Sequence, residues 1–275
     1  MTKEAETSRY VQLPNVRVHY NEIGSGPALI CIHGGGPGAN SWSNFATNLE
    51  AFAKHYRTLL IDLPQFGKSE KVTIDGPRLT YHATVIRDFM DALKIDRAFI
   101  VGNSFGGQTA IKTAIDFPDR VRAFAVIGSA PVLHSIFAPM PLEGVKLIGN
   151  YYRGDGPSIP KMRQILQTLV FDPSAVTDEI VRERYEASID PELIRVNTGA
   201  PAPRQDLTPE FSKVKAPALL IWGMDDRAGA LDVGLLMLRT FHNAQMHIFS
   251  RCGHWAQVEH SDDFNELVIN FFGKC

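Results

Sequence analysis

Ala98-Phe99-Ile100-Val101-Gly102-Asn103-Ser104-Phe105-Gly106-Gly107 decides the fold. Ala98–Val101 reads as a buried strand, and Gln108–Phe117 just beyond reads as a helix. Between them stands G-x-S-x-G, Gly102 to Gly106. Alone the pattern is weak, since a chain of this size contains one by accident roughly one time in ten. Between a strand and a helix it is much stronger. A serine on that sharp bend adopts a strained backbone, and the residues two before and two after it must lack side chains. The helix that follows turns its first amide N–H groups toward the serine, which favours developing negative charge.

Working outward, Arg17–Glu22, Ala28–His33, Tyr56–Asp62 and Val121–Ile127 also read as strands, several almost continuously apolar. Continuous apolar runs suit strands covered on both faces. Tyr81–Leu93 sets Val85, Ile86, Phe89, Met90 and Leu93 on one helical stripe. Strands alternating with helices predict a mostly parallel central sheet flanked by helices. The rhythm breaks after Ile127. Lys161–Val170 and Asp178–Ser188 read as helices, the second capped by Thr177. From Ala218 the alternation returns, with strands Ala218–Trp222 and Gln245–Ser250 around helix Leu231–Phe241. Phe264, Leu267, Val268, Phe271 and Phe272 form the core stripe of a last helix. The expected organisation is one core domain, residues 1–130 and 206–275, with a helical lid of residues 131–205 inserted in it. Such a lid covers the carboxyl edge of the sheet, where ligands bind in open α/β folds.

Composition narrows the function. The chain has 275 residues, 44% of them apolar, with 28 basic and 30 acidic side chains and a net charge of −2. A protein that lives by neutralising phosphates is usually more basic, so no nucleic-acid partner is expected. No apolar run approaches the roughly 18 residues of a membrane span, so no membrane partner is expected. Met1 to Tyr10 is charged and lacks the apolar stretch of a secretory leader. Cys31, Cys252 and Cys275 form an odd set without metal-ligand spacing, and Cys31 reads as a buried small hydrophobe. A reduced, cytoplasmic enzyme is expected, with no metal and no organic cofactor.

A serine hydroxyl needs a base. His242, His247, His254 and His260 follow the late strands. His254 is preferred, because Gly253 permits a turn that swings its ring over the sheet edge. His247 reads as mid-strand and structural, and His260 as an exposed residue near the start of the last helix. The imidazole needs an acidic orienter. Asp225 and Asp226 both follow the strand ending at Trp222, and Asp226 is preferred because the loop carries it clear of the strand end. The order Ser104, Asp226, His254 is that of the α/β-hydrolases. His33-Gly34-Gly35-Gly36-Pro37-Gly38 follows the strand Ala28–Ile32 and is not the G-x-G-x-x-G of a dinucleotide loop. The N–H groups of Gly35 and Phe105 form a two-donor oxyanion hole, in which one donor contributes about 3–4 kcal/mol to the transition state.

These segments carry a resemblance. The loop from His33 to Gly38, Ser41-Trp42-Ser43-Asn44, Gly102-Asn103-Ser104, Trp222-Gly223-Met224-Asp225-Asp226-Arg227 and Cys252-Gly253-His254-Trp255-Ala256-Gln257 resemble the meta-cleavage product hydrolases over almost the whole chain. That family cleaves a carbon–carbon bond in 2-hydroxy-6-oxohexa-2,4-dienoates, the ring-opened products of extradiol dioxygenases. The resemblance implies an α/β-hydrolase fold, Ser104, Asp226 and His254 as a triad, and Gly35 and Phe105 at the oxyanion hole. It also implies that Gly34, Asn44, Asn103, Arg184 and Trp255 hold the dienoate, a small-molecule partner. Arg184 alone reads as a solvated member of a charged helix; the family match makes it the fork for a carboxylate. A homo-oligomer is expected.

Two departures bear on the substrate. Phe105 stands where the family often has Met, and Arg227-Ala228-Gly229-Ala230 replaces a bulky apolar residue followed by Val-Pro. The smaller side chains enlarge the pocket near the C6 substituent. Ile136, Phe137, Met140, Leu142, Leu147, Ile148, Tyr151 and Tyr152 either enclose that substituent or pack on the core. A bulky aryl group, as in biphenyl- or dibenzofuran-type degradation, is expected. A carboxylesterase, or a noncatalytic receptor on the same scaffold, would carry the same three residues.

Overall fold

The structure is a computed structural model describing residues 2–198 and 203–275. Met1 and positions 199–202, the latter inside the expected insertion, lie outside the described residues. Eight strands form one sheet: β1 (Ser8–Gln12), β2 (Arg17–Ile23), β3 (Ala28–Ile32), β4 (Arg57–Ile61), β5 (Ala98–Asn103), β6 (Val121–Ile127), β7 (Ala218–Gly223) and β8 (Ala244–Phe249). Their spatial order is β1-β2-β4-β3-β5-β6-β7-β8. The first two join antiparallel, and all pairs from β4 to β8 are parallel.

Period-two side-chain alternation sorts the inner strands between two cores. Ile30, Ile32, Ile100, Val126 and Leu220 face one cluster, while Leu29, Cys31, Val101, Ala125 and Leu219 face the other. Helices Arg78–Ala92 and Phe105–Asp116 cover the first face through Ile86, Phe89, Ala110 and Ile111. Helices Ser41–Ala53 and Ser261–Phe272 cover the second through Phe45, Phe52, Phe264 and Val268. Every strand expected from the sequence is present, and Cys31 is fully buried. Strand β1, half-exposed and without apolar alternation, was not foreseen, nor were helices Ser41–Ala53, Glu143–Asn150 and Pro191–Thr198.

Between β6 and β7 lie helices Glu143–Asn150, Ile159–Leu169, Asp178–Ser188 and Pro191–Thr198, with no strand among the described residues. Thr177 caps the third of these, accepting from the Ile180 N–H at 3.3 Å. This stretch has its own apolar cluster around Tyr151, Met162, Ile165, Leu166 and Val181. No helix among the described residues is long and apolar enough to cross a membrane.

Candidate active site

Strand β5 ends at Asn103, and the next residue, Ser104, holds φ 52° and ψ −115°. A non-glycine residue in that region carries about 1–3 kcal/mol of strain, which persists only where the surroundings impose it. Here they do. The Ser104 N–H donates to the Ile127 carbonyl at 2.8 Å, and its own carbonyl accepts from Gln108 at 3.0 Å. A side chain at Gly102 would meet the Gly106 backbone at 2.5 Å, and one at Gly106 would meet the Ile32 carbonyl at 2.1 Å. The bend closes because both positions are bare.

Two loops from the next sheet edge bring the imidazole and carboxylate together. Asp226 Oδ2 lies 2.8 Å from His254 Nδ1, and both side chains are buried. Asp226 Oδ1 accepts from the N–H groups of Ala228 and Gly229 at 2.7 and 2.8 Å. The carboxylate is thereby fixed, and its contact places the imidazole proton on Nδ1, leaving Nε2 as the basic nitrogen. The pair sits over Gly128, at φ +55°, where a side chain would come within 2.6 Å of both groups. Asp225, the alternative orienter, is exposed. His242 and His247 are exposed, and His247 stands 4.3 Å from the Phe249 ring at the edge strand. His260 is half-buried rather than exposed, because it stacks on Phe249 at 4.9 Å.

The backbone around His254 is clasped from two sides. Its N–H donates to the Leu169 carbonyl at 2.8 Å, and its carbonyl accepts from Asn103 Nδ2 at 3.1 Å. Glu259 holds the N–H groups of Gly253 and Trp255 at 3.0 and 3.3 Å. Neither Leu169 nor Glu259 stood out in the sequence. Glu259, one helical turn past Trp255, carried the only local signal.

The glycine loop after β3 is held as firmly. Gly34 N–H donates to Asn44 Oδ1 at 3.1 Å, and the Gly34 carbonyl lies 2.7 Å from His33 Nδ1. His33 Nε2 accepts from Leu63 N–H at 3.0 Å. Burial lowers the His33 pKa, in keeping with a neutral ring that donates at one nitrogen and accepts at the other. Gly35 packs against Phe105, where a side chain would meet Cβ at 3.0 Å. Gly35 and Phe105, the two expected oxyanion donors, thus stand side by side.

Ser104, Gly35 and Phe105 line one cavity of about 270 Å³, with Leu79, Ala130, Val132, Val145 and Ile148 among its apolar walls. The remaining expected substrate residues stand outside this wall. Asn103 is fully buried beneath Gly34, and Asn44 is buried under the glycine loop. Trp255 packs on the apolar cluster of the insertion. Arg184 crosses behind the loop, donating from Nε to the Pro37 carbonyl at 2.7 Å and from Nη1 to Ser43 Oγ at 3.0 Å. Burial pushes its pKa down to about 10, and it has no carboxylate partner among the described residues. Of the eight apolar residues read as either enclosing the C6 group or packing on the core, Ile148 lines this cavity, while Met140 and Leu142 pack on the sheet core and Leu147 and Tyr152 on the insertion's own cluster. Ile136 and Phe137 are 79% and 81% exposed, and Tyr151 is buried against Ser188.

A second Ser–His–Asp triple exists. Ser8 Oγ lies 2.8 Å from His19 Nε2, and His19 Nδ1 lies 2.8 Å from Asp62 Oδ2. None of the three lines the cavity.

Comparison with known proteins agrees with this geometry. The alpha/beta hydrolase fold family matches residues 27–261. The chain is 39% identical to a 2-hydroxy-6-oxononadienedioate/2-hydroxy-6-oxononatrienedioate hydrolase of Paraburkholderia phymatum, over 98% of this chain and 97% of that one. It is 41% identical to a 2-hydroxy-6-oxo-6-phenylhexa-2,4-dienoate hydrolase of Burkholderia cepacia, over 98% of each. The crystal structure of a meta-cleavage product hydrolase from Pseudomonas fluorescens IP01 superposes with a TM-score of 0.89 at 34% identity, covering 98% of this chain and 99% of that one. The chain thus has counterparts over nearly its whole length, and it belongs to the alpha/beta hydrolase fold family and, within it, to the meta-cleavage product hydrolases.

Proposed function

We propose that this protein is a serine-dependent hydrolase that cleaves the C5–C6 bond of 2-hydroxy-6-oxohexa-2,4-dienoates bearing a substituent at C6, in aromatic catabolism. The observation that carries the reading is Ser104 at its strained bend on a cavity bordered by the Gly35 and Phe105 amides, with the Asp226–His254 pair at the neighbouring sheet edge. The names of relatives matched over nearly the whole chain support the substrate class.

The reaction runs in two stages. Protonation at C5 ketonises the dienol, so that the C5–C6 bond becomes cleavable like that of a β-diketone. Ser104 Oγ, giving its proton to His254, attacks the C6 carbonyl, and the oxyanion rests on the Gly35 and Phe105 N–H groups. Collapse breaks C5–C6. The electron pair passes from C5 along the conjugated chain to the C2 oxygen, which takes a proton as 2-hydroxypenta-2,4-dienoate leaves, and an acyl-serine remains. Water deprotonated by His254 releases the carboxylic acid. Arg184 takes the dienoate carboxylate, while Asn44, Asn103 and Trp255 shape the loops at that end. The helical insertion serves as the lid.

At C6 the relatives' names give two groups, a phenyl ring and a chain that ends in a second carboxylate. The apolar walls Ala130, Val132, Val145 and Ile148 favour carbon next to the carbonyl in either case. The proposal extends to a cytoplasmic homo-oligomer, which light scattering on the purified protein tests. The activity is tested by adding 6-phenyl and 6-methyl dienoates and following loss of the dienolate colour, with both acid products identified. Ester hydrolysis without dienoate cleavage would return the chain to the carboxylesterases, and stoichiometric binding without product would make it a receptor.

A further inference from the structure

The cavity holding Ser104 has a charge pattern that acyl transfer does not use. Among the described residues its wall contains two arginines, Arg78 and Arg204, and no aspartate or glutamate. Arg78 opens the helix Arg78–Ala92, and its guanidinium carbon stands 4.8 Å from the centre of the Phe105 ring. One nitrogen, Nη2, donates to Gln65 Oε1 at 3.1 Å. Nε is buried without a hydrogen-bond partner, and no carboxylate pairs with the group among the described residues. Burial lowers its pKa, the mark of a cation whose charge is poorly compensated. Gln65 itself sits at φ 75°, a conformation that a non-glycine residue adopts at some cost. A half-sunken guanidinium with one neutral acceptor is an unfavourable arrangement for stability alone.

We propose that Arg78 is a specificity-determining residue that receives a second carboxylate carried on the C6 substituent, so that the substrate class is a 2-hydroxy-6-oxo-diene-dioate. This rests on the carbon–carbon hydrolase reading above. Phe105 follows the nucleophile directly and carries the guanidinium over its ring, so the cation and Ser104 border the same cavity. A planar guanidinium supported on an aromatic face offers a carboxylate two parallel N–H donors. Arg184, outside this wall, serves the carboxylate at the dienoate end. A dianion then has one guanidinium for each carboxylate, and the acidic chain competes with the aryl group expected from the sequence.

The test compares kcat/KM for 2-hydroxy-6-oxonona-2,4-diene-1,9-dioate with that for the 6-methyl and 6-phenyl dienoates. The wild-type protein should favour the dioate over the 6-methyl compound about 10-fold or more, the scale of a charge-assisted hydrogen bond. Arg78→Gln should lower the dioate to 6-methyl ratio about 10- to 100-fold, chiefly through KM, and Arg78→Lys should recover part of it. A ratio unchanged by Arg78→Gln overturns the proposal, since Arg78 then acts on the dienoate end or on Phe105. So does a wild-type protein that turns over the 6-methyl compound as well as the dioate, a result that needs no variant to fold. Turnover of the 6-phenyl dienoate alone sinks this inference and leaves the hydrolase reading standing, whereas turnover of none sinks both.

Discussion

Two buried imidazole–carboxylate pairs lie in this chain, the one assigned to Ser104 and the one bonded to Ser8, and their contacts are the same length. Asp226 meets His254 at 2.8 Å, and Asp62 meets His19 at 2.8 Å. The surroundings differ. Ser104 stands on a strained bend at a cavity, beside two backbone amides. Ser8 lies in the edge strand β1, closes its hydrogen bond to His19 at 2.8 Å, and borders no part of that cavity. Asp62 also accepts from the N–H groups of Ser41 and Lys68, at 2.8 and 2.9 Å, so it ties strand β2 to two loops. The carboxylate–imidazole contact is a general device for fixing a ring. The two pairs differ in what the second nitrogen has: His19 Nε2 is closed on the Ser8 hydroxyl, whereas His254 Nε2 has no such partner among the described residues.

Substitutions in the two triples should separate by kind as well as size. Ser104→Ala removes the nucleophile and should lower kcat for dienoate bleaching by about 10⁶-fold, as loss of a nucleophile does in other serine hydrolases. Stopped-flow absorbance should still show the coloured dienolate bound. Asp226→Asn leaves the shape but favours the wrong imidazole tautomer, so kcat should fall about 10⁴-fold while the melting curve moves little. Asp62→Asn should do the reverse, costing about 3 kcal/mol in urea unfolding, because a buried hydrogen-bonded charge is lost. Its effect on kcat should be small. Ser8→Ala should cost about 1 kcal/mol, one buried hydrogen bond, with bleaching intact. Loss of bleaching in Ser8→Ala would erase the distinction.

Acid sharpens the contrast. Burial raises the Asp62 pKa, but the bonds from His19, Lys68 and Ser41 outweigh it and hold the carboxyl below its ordinary value. Such a group binds fewer protons folded than unfolded. Its stabilising contribution is complete above the ordinary aspartate range and is lost as pH falls toward the folded value. Unfolding free energy should therefore decline on acidification through that window, and Asp62→Asn should flatten the decline.

Much of the catalytic end was legible because its constraints are local. The bare positions Gly102 and Gly106, the strand before them and the helix after them are contiguous, and Gly253 announces the turn that carries His254. What escaped depends on distant partners. Asn103 was read as a substrate contact, yet its amide supports the His254 carbonyl from 151 positions away in the chain. Ser8, His19 and Asp62 share no motif, and β1 is only half-buried, so periodicity could not reveal it. Helix Ser41–Ala53 was overlooked although Asn40 caps it at 2.7 Å and Phe45, Leu49 and Phe52 line one side. The residues after Pro131 read as apolar but gave no direction, and Ile136 and Phe137 turned outward.

The double grip on His254 constrains how small molecules come and go. Its amide hydrogen is held by Leu169, at the end of an insertion helix, and its carbonyl by Asn103, at the end of the central strand β5. Lifting that helix end would have to break the His254 N–H bond or carry the base with it, so the insertion and the proton acceptor are mechanically tied. Any opening of the cavity that keeps the base armed must therefore leave the Leu169 end of that helix in place.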